Sequence, residues 1–278
     1  MRFFVLKIYS HLQSWGTTEL DNSNDSNPKT TEFFPTKSGL TGLIRCALGR
    51  SRDIFDDFDK KLLNMEYFVR VDQIGSVMKD FQVMQATHHN FKANNSSKII
   101  PKIYLENYSF TVLLSFPDLD SEELDLVAEK LNNPTWNIFY GRKTCIPLLP
   151  PFVGIIDSDN PIELLKTIPL HSSFNDKVNF KIQCDKKVDN SVPKTLKDSN
   201  TYSFNPSAKG YSMREVYNSN IIVDDNITVN DDFLDNIVAT KKFLESFDNS
   251  NIVDVSIGED KFENKSLIVE ESGSNVSE

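Results

Sequence analysis

The sequence predicts an α+β fold with a ferredoxin-like β-α-β-β-α-β core. Strands are predicted where β-forming residues dominate and apolar and polar side chains alternate, at residues 2–12, 67–72, 107–116 and 152–156. Two helices with an apolar face separate these strands. One begins after Phe34, and the other covers residues 120–131, where acidic side chains occupy the first turn. The resulting order of elements is the ferredoxin-like order.

The remaining segments of the first half fit around this core. Residues 17–32 are rich in Asn, Asp, Ser and Thr, which predicts a loop, and residues 60–65 predict a short helix. A further strand, the third along the chain, is predicted at residues 76–87 after a turn at Gly75, and a long insertion is expected to follow it. Residues 88–102, whose centre is the polar run Asn94-Asn95-Ser96-Ser97, are expected to form an exposed excursion between two strands.

The chain divides into three parts by composition. Residues 1–157 hold the core, and residues 158–217 predict a small β-rich unit with a short helix at 161–166 and strands at 178–184 and 201–204. Residues 218–278 form an acidic extension that we expect to be partly ordered. Within it, residues 233–247 carry apolar side chains at helical spacing. Such a face needs a partner, either the body of this chain or a neighbouring protein, unless the extension is a disordered, solubilising end.

The distribution of charge favours a nucleic-acid partner more than the total does. The 278 residues carry a formal net charge of −10. Residues 1–217 hold 26 basic and 26 acidic side chains, whereas residues 218–278 hold 4 basic and 14 acidic ones. The body is therefore neutral and can carry a local basic track, which matters more for binding than the total charge.

Several functional classes find no support in the sequence. No apolar run approaches the roughly 18 residues of a membrane span, and the N-terminus lacks the pattern of a signal peptide, so we expect a cytoplasmic protein without a membrane partner. Cys46, Cys145 and Cys184 follow no disulfide or zinc spacing. Nucleotide-binding and hydrolase motifs are absent from the sequence. We therefore expect no metal and no cofactor.

The start of the first helix has the composition of an anion-binding site. Thr36 and Ser38 are both candidates for the N-cap. Gly39 and Gly42 each cost about 1 kcal/mol of helix stability relative to alanine, which indicates that another group approaches the backbone closely. The N–H groups and positive dipole at a helix start favour phosphate.

Basic side chains recur along the same helix. Lys37, Thr41 and Arg45 are spaced every four residues, so they are expected to share a face that points away from the core. Together with the helix start, Lys37 and Arg45 predict phosphate binding. The alternative is an ordinary amphipathic core helix with a few surface cations.

The stretch after the second helix predicts an exposed basic turn. Gly141, Arg142 and Lys143 place a glycine beside two cations, and Pro147 ends the segment. The backbone of such a turn can meet phosphates, and the guanidinium of Arg142 can bind one with two hydrogen bonds. The alternative is a plain surface turn.

Two other groups of residues are candidates with strong alternatives. At the end of the first strand, Trp15 either stacks on a base or fills the edge of the core. His88 and His89, with several lysines nearby, supply the residue types of a metal-free ribonuclease. Histidines on a polar loop are more commonly exposed bystanders or RNA contacts.

Together these blocks resemble the Cas-five family of repeat-associated RNA-binding proteins, represented by CasD-type subunits of the type I-E CRISPR surveillance complex, Cascade. The resemblance is carried by residues 12–16, 34–43, 69–72, 108–112 and 140–147. The order and spacing fit through about residue 157, and a weaker match continues to residues 211–217. The resemblance covers roughly three-quarters of the chain, and it leaves the acidic extension unexplained.

The resemblance implies a non-catalytic role. CasD-type subunits bind the 5′ handle of the CRISPR RNA, cap the filament of CasC-type backbone subunits and contact the CasA-type large subunit. Their ferredoxin-like body carries a β-hairpin thumb, here about residues 82–106, that folds over the RNA. The RNA-binding residues expected on this basis are Gln13, Trp15, Gly16, Thr36, Lys37, Ser38, Gly39, Arg45, Thr87, His88, Gly141, Arg142, Lys143 and Arg214.

An enzymatic alternative follows from the same resemblance. Relatives in type I-C systems cut precursor RNA themselves, so the alternative is a metal-independent endoribonuclease with His88 or His89 as the base and a nearby lysine stabilising charge. Some fused relatives carry a C-terminal HNH nuclease. This chain has no histidine after His171, so its extension cannot be that nuclease.

Overall fold

The computed structural model describes residues 1–16, 29–87, 93–171, 180–198, 212–223, 227–230 and 232–246. The strands are β1 (Arg2–Tyr9), β2 (Leu12–Gln13), β3 (Glu66–Gln73), β4 (Ser76–Thr87), β5 (Ala93–Glu106), β6 (Ser109–Ser115), β7 (Phe152–Asp157), β8 (Leu170–His171), β9 (Phe180–Cys184), β10 (Val192–Asp198), β11 (Ser212–Ile221) and β12 (Val229–Asn230). The helices are α1 (Lys37–Ala47), α2 (Asp57–Leu63), α3 (Ser121–Asn132), α4 (Pro161–Thr167) and α5 (Phe233–Ser246). In the described parts of the chain, no helix has the length and hydropathy needed to cross a membrane.

A large antiparallel sheet forms the centre of the molecule. Its strand order is β10-β11-β9-β3-β6-β1-β7. In the middle, β6 pairs with β1 (Val5↔Leu113) and with β3 (Val69↔Val112). Along the chain, α1 and α2 lie between β1 and β3, the strands β4 and β5 lie between β3 and β6, and α3 lies between β6 and β7. In the sheet, β3, β6, β1 and β7 are neighbours in that order.

The first predicted strand is two strands in the structure. β1 ends at Tyr9, and β2 leaves the main sheet to pair with β5, with Leu12 opposite Glu106. β4 and β5 form a long hairpin that pairs from Ser76 to Thr87, so it begins earlier than the predicted thumb of residues 82–106. The excursion predicted at residues 88–102 is wrong from Ala93 onwards, because those residues belong to β5. Residues 88–92 lie outside the described residues.

The segment predicted as a small β-rich unit shares the main sheet. β9 matches the strand predicted at 178–184, whereas the strand predicted at 201–204 lies outside the described residues. β9 pairs with β3, with Phe68 opposite Cys184, and β11 and β10 continue the sheet beyond it. The strands β9, β10 and β11 therefore belong to the same sheet as the core strands.

Helices cover both faces of the sheet. On β1, Phe4 and Leu6 join the core under α1 and α3, while Phe3 and Val5 join a second core under α4 and α5. This alternation follows from the two-residue period of a strand. Because the second face is covered, the aromatic rings of Phe3 and Phe68 are buried and unavailable for stacking on bases.

Helix α5 shows where the apolar part of the extension packs. Phe233 contacts the rings of Tyr9 and His171, and Leu244 belongs to the second core. A Cβ at Gly154 would lie 2.8 Å from Leu244 Cδ1, so glycine at this position of β7 permits the close approach of the helix. The expected partner of this face is therefore the body of the chain itself. Residues 247–278 lie outside the described residues.

A buried charge network crosses this covered face. Lys7 Nζ donates to Asp72 Oδ2 at 3.1 Å and to the Thr111 hydroxyl at 2.8 Å. Arg70 Nε donates to Asp72 Oδ1 at 2.6 Å, and its other nitrogens donate to the carbonyls of Leu165, Ile168 and Pro169. These side chains are fully buried. The network therefore attaches the connection between α4 and β8 to the sheet through hydrogen bonds. It contains two basic side chains, Lys7 and Arg70, and one carboxylate, Asp72.

Stability is expected to rise with pH because of Lys7. Burial lowers the pKa of Lys7 to about 8, from an ordinary 10.5, although the nearby Asp72 opposes this shift. Above pH 8 the folded state loses a proton that the unfolded state keeps, so the free energy of unfolding should rise by roughly 1 kcal/mol per pH unit towards pH 10.5. Urea denaturation of the wild type and of Lys7→Met, measured across this range, tests the effect.

The Lys7→Met protein is the control for this prediction. Burial raises the pKa of Cys184 to about 11, which acts in the opposite direction above pH 9. This contribution is present in both proteins, so the difference between them isolates Lys7. Equal pH dependence in both proteins would contradict the assignment.

Candidate nucleic-acid interface

The start of α1 is built as predicted. Thr36 is the N-cap, and its hydroxyl accepts a hydrogen bond from the Gly39 N–H at 3.2 Å. The predicted apolar face is buried, with Leu40, Leu43 and Ile44 in the first core. Ser38 is half-buried beside the cap, 3.3 Å from the Thr36 hydroxyl.

Gly39 packs closely against Trp15. A Cβ at Gly39 would lie 3.0 Å from Trp15 Cε3. Trp15 is fully buried, and its indole N–H donates to Gln13 Oε1 at 3.0 Å, while Gln13 Nε2 donates to the Tyr108 carbonyl at 2.7 Å. RNA contacts by the fully buried Gln13 and Trp15 side chains are therefore wrong for this structure, whereas an RNA contact at the half-buried Gly39 stays a prediction. Gly42 is exposed with nothing near it, and nothing in the structure explains it.

Arg45 is a structural residue. Its guanidinium is buried, pairs with Asp59 of α2 and donates to the carbonyls of Ser51 and Ile54 at 2.8 and 2.9 Å. Thr41 is buried as well, and its hydroxyl donates to the Lys37 carbonyl. The predicted outward face and the predicted RNA contact of Arg45 are therefore wrong, because α2 and the preceding loop cover this side of the helix.

Lys37 lies in a cluster that joins α1 to the sheet, which we call the α1 cluster: Lys37, Tyr67, Asp185 and Arg214. Lys37 Nζ lies 3.5 Å from Asp185 Oδ2, and the Tyr67 N–H donates to Asp185 Oδ1 at 3.3 Å. Arg214 donates to the Tyr67 hydroxyl at 3.2 Å and lies over its ring at 5.1 Å. The sequence predicted Lys37 and Arg214 but missed Tyr67 and Asp185, for which the sequence contains no local signal.

Burial raises the pKa of Asp185, although Lys37 and Arg214 nearby act to lower it. Two further ion pairs are Lys186, the residue after Asp185, with Glu66 of β3 at 2.6 Å, and Lys194 of β10 with Glu32 at 3.0 Å. This part of the surface therefore alternates cations with carboxylates and is not uniformly basic.

The predicted basic turn is a tight turn against the N-terminal segment. The Tyr140 N–H donates to the Cys145 carbonyl at 2.8 Å, and the Ser14 N–H donates to the Tyr140 carbonyl at 3.0 Å. Gly141 has a φ of +88°, and a Cβ there would lie 1.6 Å from the Ser14 carbonyl oxygen. Only glycine fits this position. Gly141 and Lys143 are exposed, as predicted.

Arg142 holds the hairpin in place. Its guanidinium donates to the carbonyl of Ile103 at 2.9 Å on β5 and to that of Lys29 at 2.7 Å, and it lies over the Tyr104 ring at 4.5 Å. A bidentate phosphate contact by Arg142 is therefore wrong for this structure, since its nitrogens satisfy backbone carbonyls. We interpret Arg142 as a positioning residue between the turn and the hairpin.

The fold brings three separate sequence blocks together. Gly141 abuts Ser14, and Gly39 packs on Trp15. Gly16 is exposed with a φ of +62°, and a Cβ there would lie 3.5 Å from the Thr36 hydroxyl. Blocks 12–16, 36–39 and 140–143 therefore meet beside the start of α1.

Other predicted residues stand apart or lie outside the described residues. Thr87 ends β4 opposite Ala93, but its side chain is outside the description. His88 and His89 also lie outside the described residues. His88 was a predicted RNA contact, and either histidine was the candidate base of the endoribonuclease. Among the residues that the structure does describe, no three His, Cys, Asp or Glu side chains are grouped as metal ligands.

The outer face of the hairpin is apolar and exposed. Phe81, Val83 and Ile99 are 64%, 66% and 55% exposed, and Val83 is directly opposite Ile99 in the register. Lys79 lies over the Phe81 ring at 5.0 Å. Contiguous exposed apolar side chains of this kind are typical of interaction surfaces.

Comparisons with known proteins point to one family. Residues 3–217 match a family model described as CRISPR-associated protein (Cas_Cas5). The CRISPR system Cascade subunit CasD of Escherichia coli (strain K12) is 22% identical over 173 residues, which are 59% of this chain and 75% of that protein.

Two solved structures are similar in fold. A chain of a CRISPR RNA-guided surveillance complex has a TM-score of 0.69 at 21% identity and covers 86% of this chain and 99% of its own. A crystal structure of a Cas protein has a TM-score of 0.59 at 21% identity and covers 83% and 100%. At this identity the similarity establishes a shared fold.

The family match includes all three blocks that meet at the start of α1. It also includes the hairpin and strands β9 and β10, while α5 lies beyond its end at residue 217. Because the matched residues make up well over half of the sequence, the chain belongs to this family of CRISPR-associated proteins.

Proposed function

We propose that this chain is a non-catalytic subunit of a Cascade-type CRISPR surveillance complex that binds the 5′ handle of the CRISPR RNA. The observation that carries the proposal is the meeting of blocks 12–16, 36–39 and 140–143 at one point on the surface. These blocks are far apart in sequence and leave Gly16, Gly141 and Lys143 exposed there. The membership of the family and the name of the Escherichia coli relative support the assignment to a surveillance complex.

The proposed body is ferredoxin-like. The order β7-β1-β6-β3, with α1 and α3 on one face, supports this description. Ferredoxin-like RNA-binding domains commonly stack bases on an open sheet face. Here α4 and α5 cover that face, so the RNA is proposed to bind at the loop edge where the three blocks meet.

The proposed mechanism is capture of the RNA backbone and its shape. Exposed glycines let phosphates approach the main chain, and the positive end of α1 and Lys143 supply local positive potential. A body without net positive charge binds nonspecific RNA weakly. Recognition of the handle therefore depends on the geometry of the site rather than on total charge.

The proposed protein partners are a CasC-type backbone subunit, whose filament this chain caps, and a CasA-type large subunit. The exposed apolar hairpin face at Phe81, Val83 and Ile99 supports a protein contact there. Arg142 and Tyr104 brace the base of the hairpin, so the angle at which that face is presented is set by the body.

Loss of two lysines is expected to weaken RNA binding and its salt dependence. In Lys37→Gln/Lys143→Gln, two phosphate contacts are lost, so the slope of log K against log salt should become less steep by about 1.4 for single-stranded RNA. Fluorescence anisotropy with a guide RNA carrying the repeat-derived 5′ handle measures the slope. Arg45 is unsuitable for this test because it is buried.

A matched variant controls for the change in net charge. Lys60→Gln/Lys166→Gln removes two cations from surface pairs on α2 and α4, away from the three blocks. Its slope should equal that of the wild type. If both double variants behave alike, Lys37 and Lys143 do not contact RNA and the proposed site is wrong.

The purified chain is expected not to cleave precursor RNA. Repeat RNA incubated with the wild type in EDTA should remain intact on a denaturing gel, since the proposed role contains no chemical step. The His88→Ala/His89→Ala variant should give the same result. Specific cleavage by the wild type that the double variant lacks would instead support the metal-independent endoribonuclease.

A further inference from the structure

A carboxylate lies inside the part of the proposed site where phosphates are expected. Asp185 Oδ2 faces Lys37 Nζ at 3.5 Å, and Oδ1 accepts the Tyr67 N–H at 3.3 Å. Only 13% of the Asp185 side chain and 17% of the Lys37 side chain are exposed. Burying a carboxylate is costly unless cations or hydrogen bonds compensate it, and the α1 cluster supplies both.

The contact between Lys37 and Asp185 is loose. At 3.5 Å it is longer than the 2.7–2.9 Å of a good charge-assisted hydrogen bond. The Tyr67 N–H and the charge of Arg214 would remain with Asp185 if Lys37 moved away. A phosphate can therefore take over Lys37 without leaving the carboxylate uncompensated.

We propose that Asp185 is an internal counter-ion of the RNA site, which holds Lys37 until a phosphate replaces it and thereby lowers the affinity of the chain for RNA. This inference rests on the proposed function. The consequence is discrimination between RNA molecules, since an RNA that contacts only Lys37 must compete with the Asp185 carboxylate that already pairs with it. An RNA that also contacts the exposed glycines and Lys143 retains those contacts.

The cations that face Asp185 are Lys37 on α1 and Arg214 on β11, and the next residue, Lys186, pairs with Glu66 of β3. Burial raises the pKa of the Cys184 thiol on β9 to about 11, so this neighbour stays neutral. Burial also raises the pKa of Asp185 itself. Protonation of Asp185 as the pH falls would remove the negative charge and tighten RNA binding.

The test compares Asp185→Asn with the wild type on the same labelled handle RNA. Asparagine keeps an oxygen that accepts the Tyr67 N–H but carries no charge. Removing one nearby negative charge should tighten binding about 5-fold at neutral pH. The wild type should approach the affinity of the variant as the pH is lowered, while the variant should change less.

The matched control is Asp189→Asn, which removes an exposed carboxylate from the turn that follows β9. It should leave the affinity and its pH dependence unchanged. A second measurement is independent of any effect on folding: in the Lys37→Gln background, Asp185→Asn should have a smaller effect on affinity than in the wild type. Thermal melting of each variant accompanies the titrations.

The outcomes separate this inference from the proposed function. If the wild type binds the handle RNA, the lysine double variant loses affinity and Asp185→Asn binds like the wild type, the counter-ion role is overturned and the proposed function stands. If the wild type shows no RNA binding at any pH, the proposed function fails, and the inference fails with it. Equal effects of Asp185→Asn and Asp189→Asn would also overturn the inference, since they would show a general charge effect.

Discussion

Gly141→Ala is expected to destabilise the protein severely. The added Cβ would lie 1.6 Å from the Ser14 carbonyl oxygen, and the two segments are held together by the hydrogen bond from the Ser14 N–H to the Tyr140 carbonyl. The φ of +88° is also unfavourable for alanine. Together these effects should cost at least about 3 kcal/mol in the free energy of unfolding, measured by urea denaturation.

The control for this variant is Gly42→Ala, a second exposed glycine of the same region. Nothing lies within 4 Å of its Cβ position, and it is in the middle of α1. Alanine there should be neutral or stabilising by up to about 1 kcal/mol. A Gly141→Ala protein as stable as the wild type would show that the turn can move away from Ser14, and the argument that the two blocks are locked together would be wrong.

Asp72→Asn is expected to have the second large effect. Arg70 and Lys7 hold the pKa of Asp72 below its usual range even though burial alone would raise it, so the carboxylate is charged in the folded protein. Its loss leaves the buried Arg70 guanidinium without a counter-charge, and it lowers the pKa of Lys7 further because Asp72 no longer opposes the effect of burial. Breaking a buried ion pair in this way typically costs about 3–5 kcal/mol, again measured by urea denaturation at neutral pH.

Two further variants show whether the loss of stability in Asp72→Asn comes from the buried charge. Asp57→Asn removes a carboxylate from an exposed pair with Lys60, so it should change stability little. Adding Lys7→Met to Asp72→Asn should recover part of the loss, because folding then no longer has to bury an amine that is charged in the unfolded chain. If the double variant is no more stable than Asp72→Asn, the buried amine of Lys7 does not contribute to the penalty.

Local patterns in the sequence were sufficient for most of the secondary structure. Alternation of apolar residues identified β1, β3, β6 and β7, and the acidic first turn marked α3, whose N-cap Asp120 forms a capping box with Glu123. These features depend on neighbours within a few residues, which a sequence displays directly. The same holds for Thr36, the N-cap of α1, and for the glycine of the turn at Gly141.

The partners of side chains were beyond such patterns. Periodicity placed Arg45 on an outward face, but α2 and the preceding loop cover it and Asp59 neutralises it. Arg142 was expected at a phosphate, but it satisfies carbonyls of segments that the fold brings beside it. A cation has the same appearance in sequence whether it faces solvent or a buried acceptor, because its environment is made by distant residues.

The sequence by itself determined the order of the elements, the apolar faces that had to be buried and the membership of a family whose motif blocks it contains. Only the tertiary structure decided that blocks 12–16, 36–39 and 140–143 meet at one point, that α5 covers the second sheet face, and that Asp185 faces Lys37 across 148 residues of sequence. The physical reason is the distance along the sequence over which each interaction acts. Helix and strand periodicities report local burial, whereas charge pairing and close backbone contact depend on which distant segments the folded core places side by side.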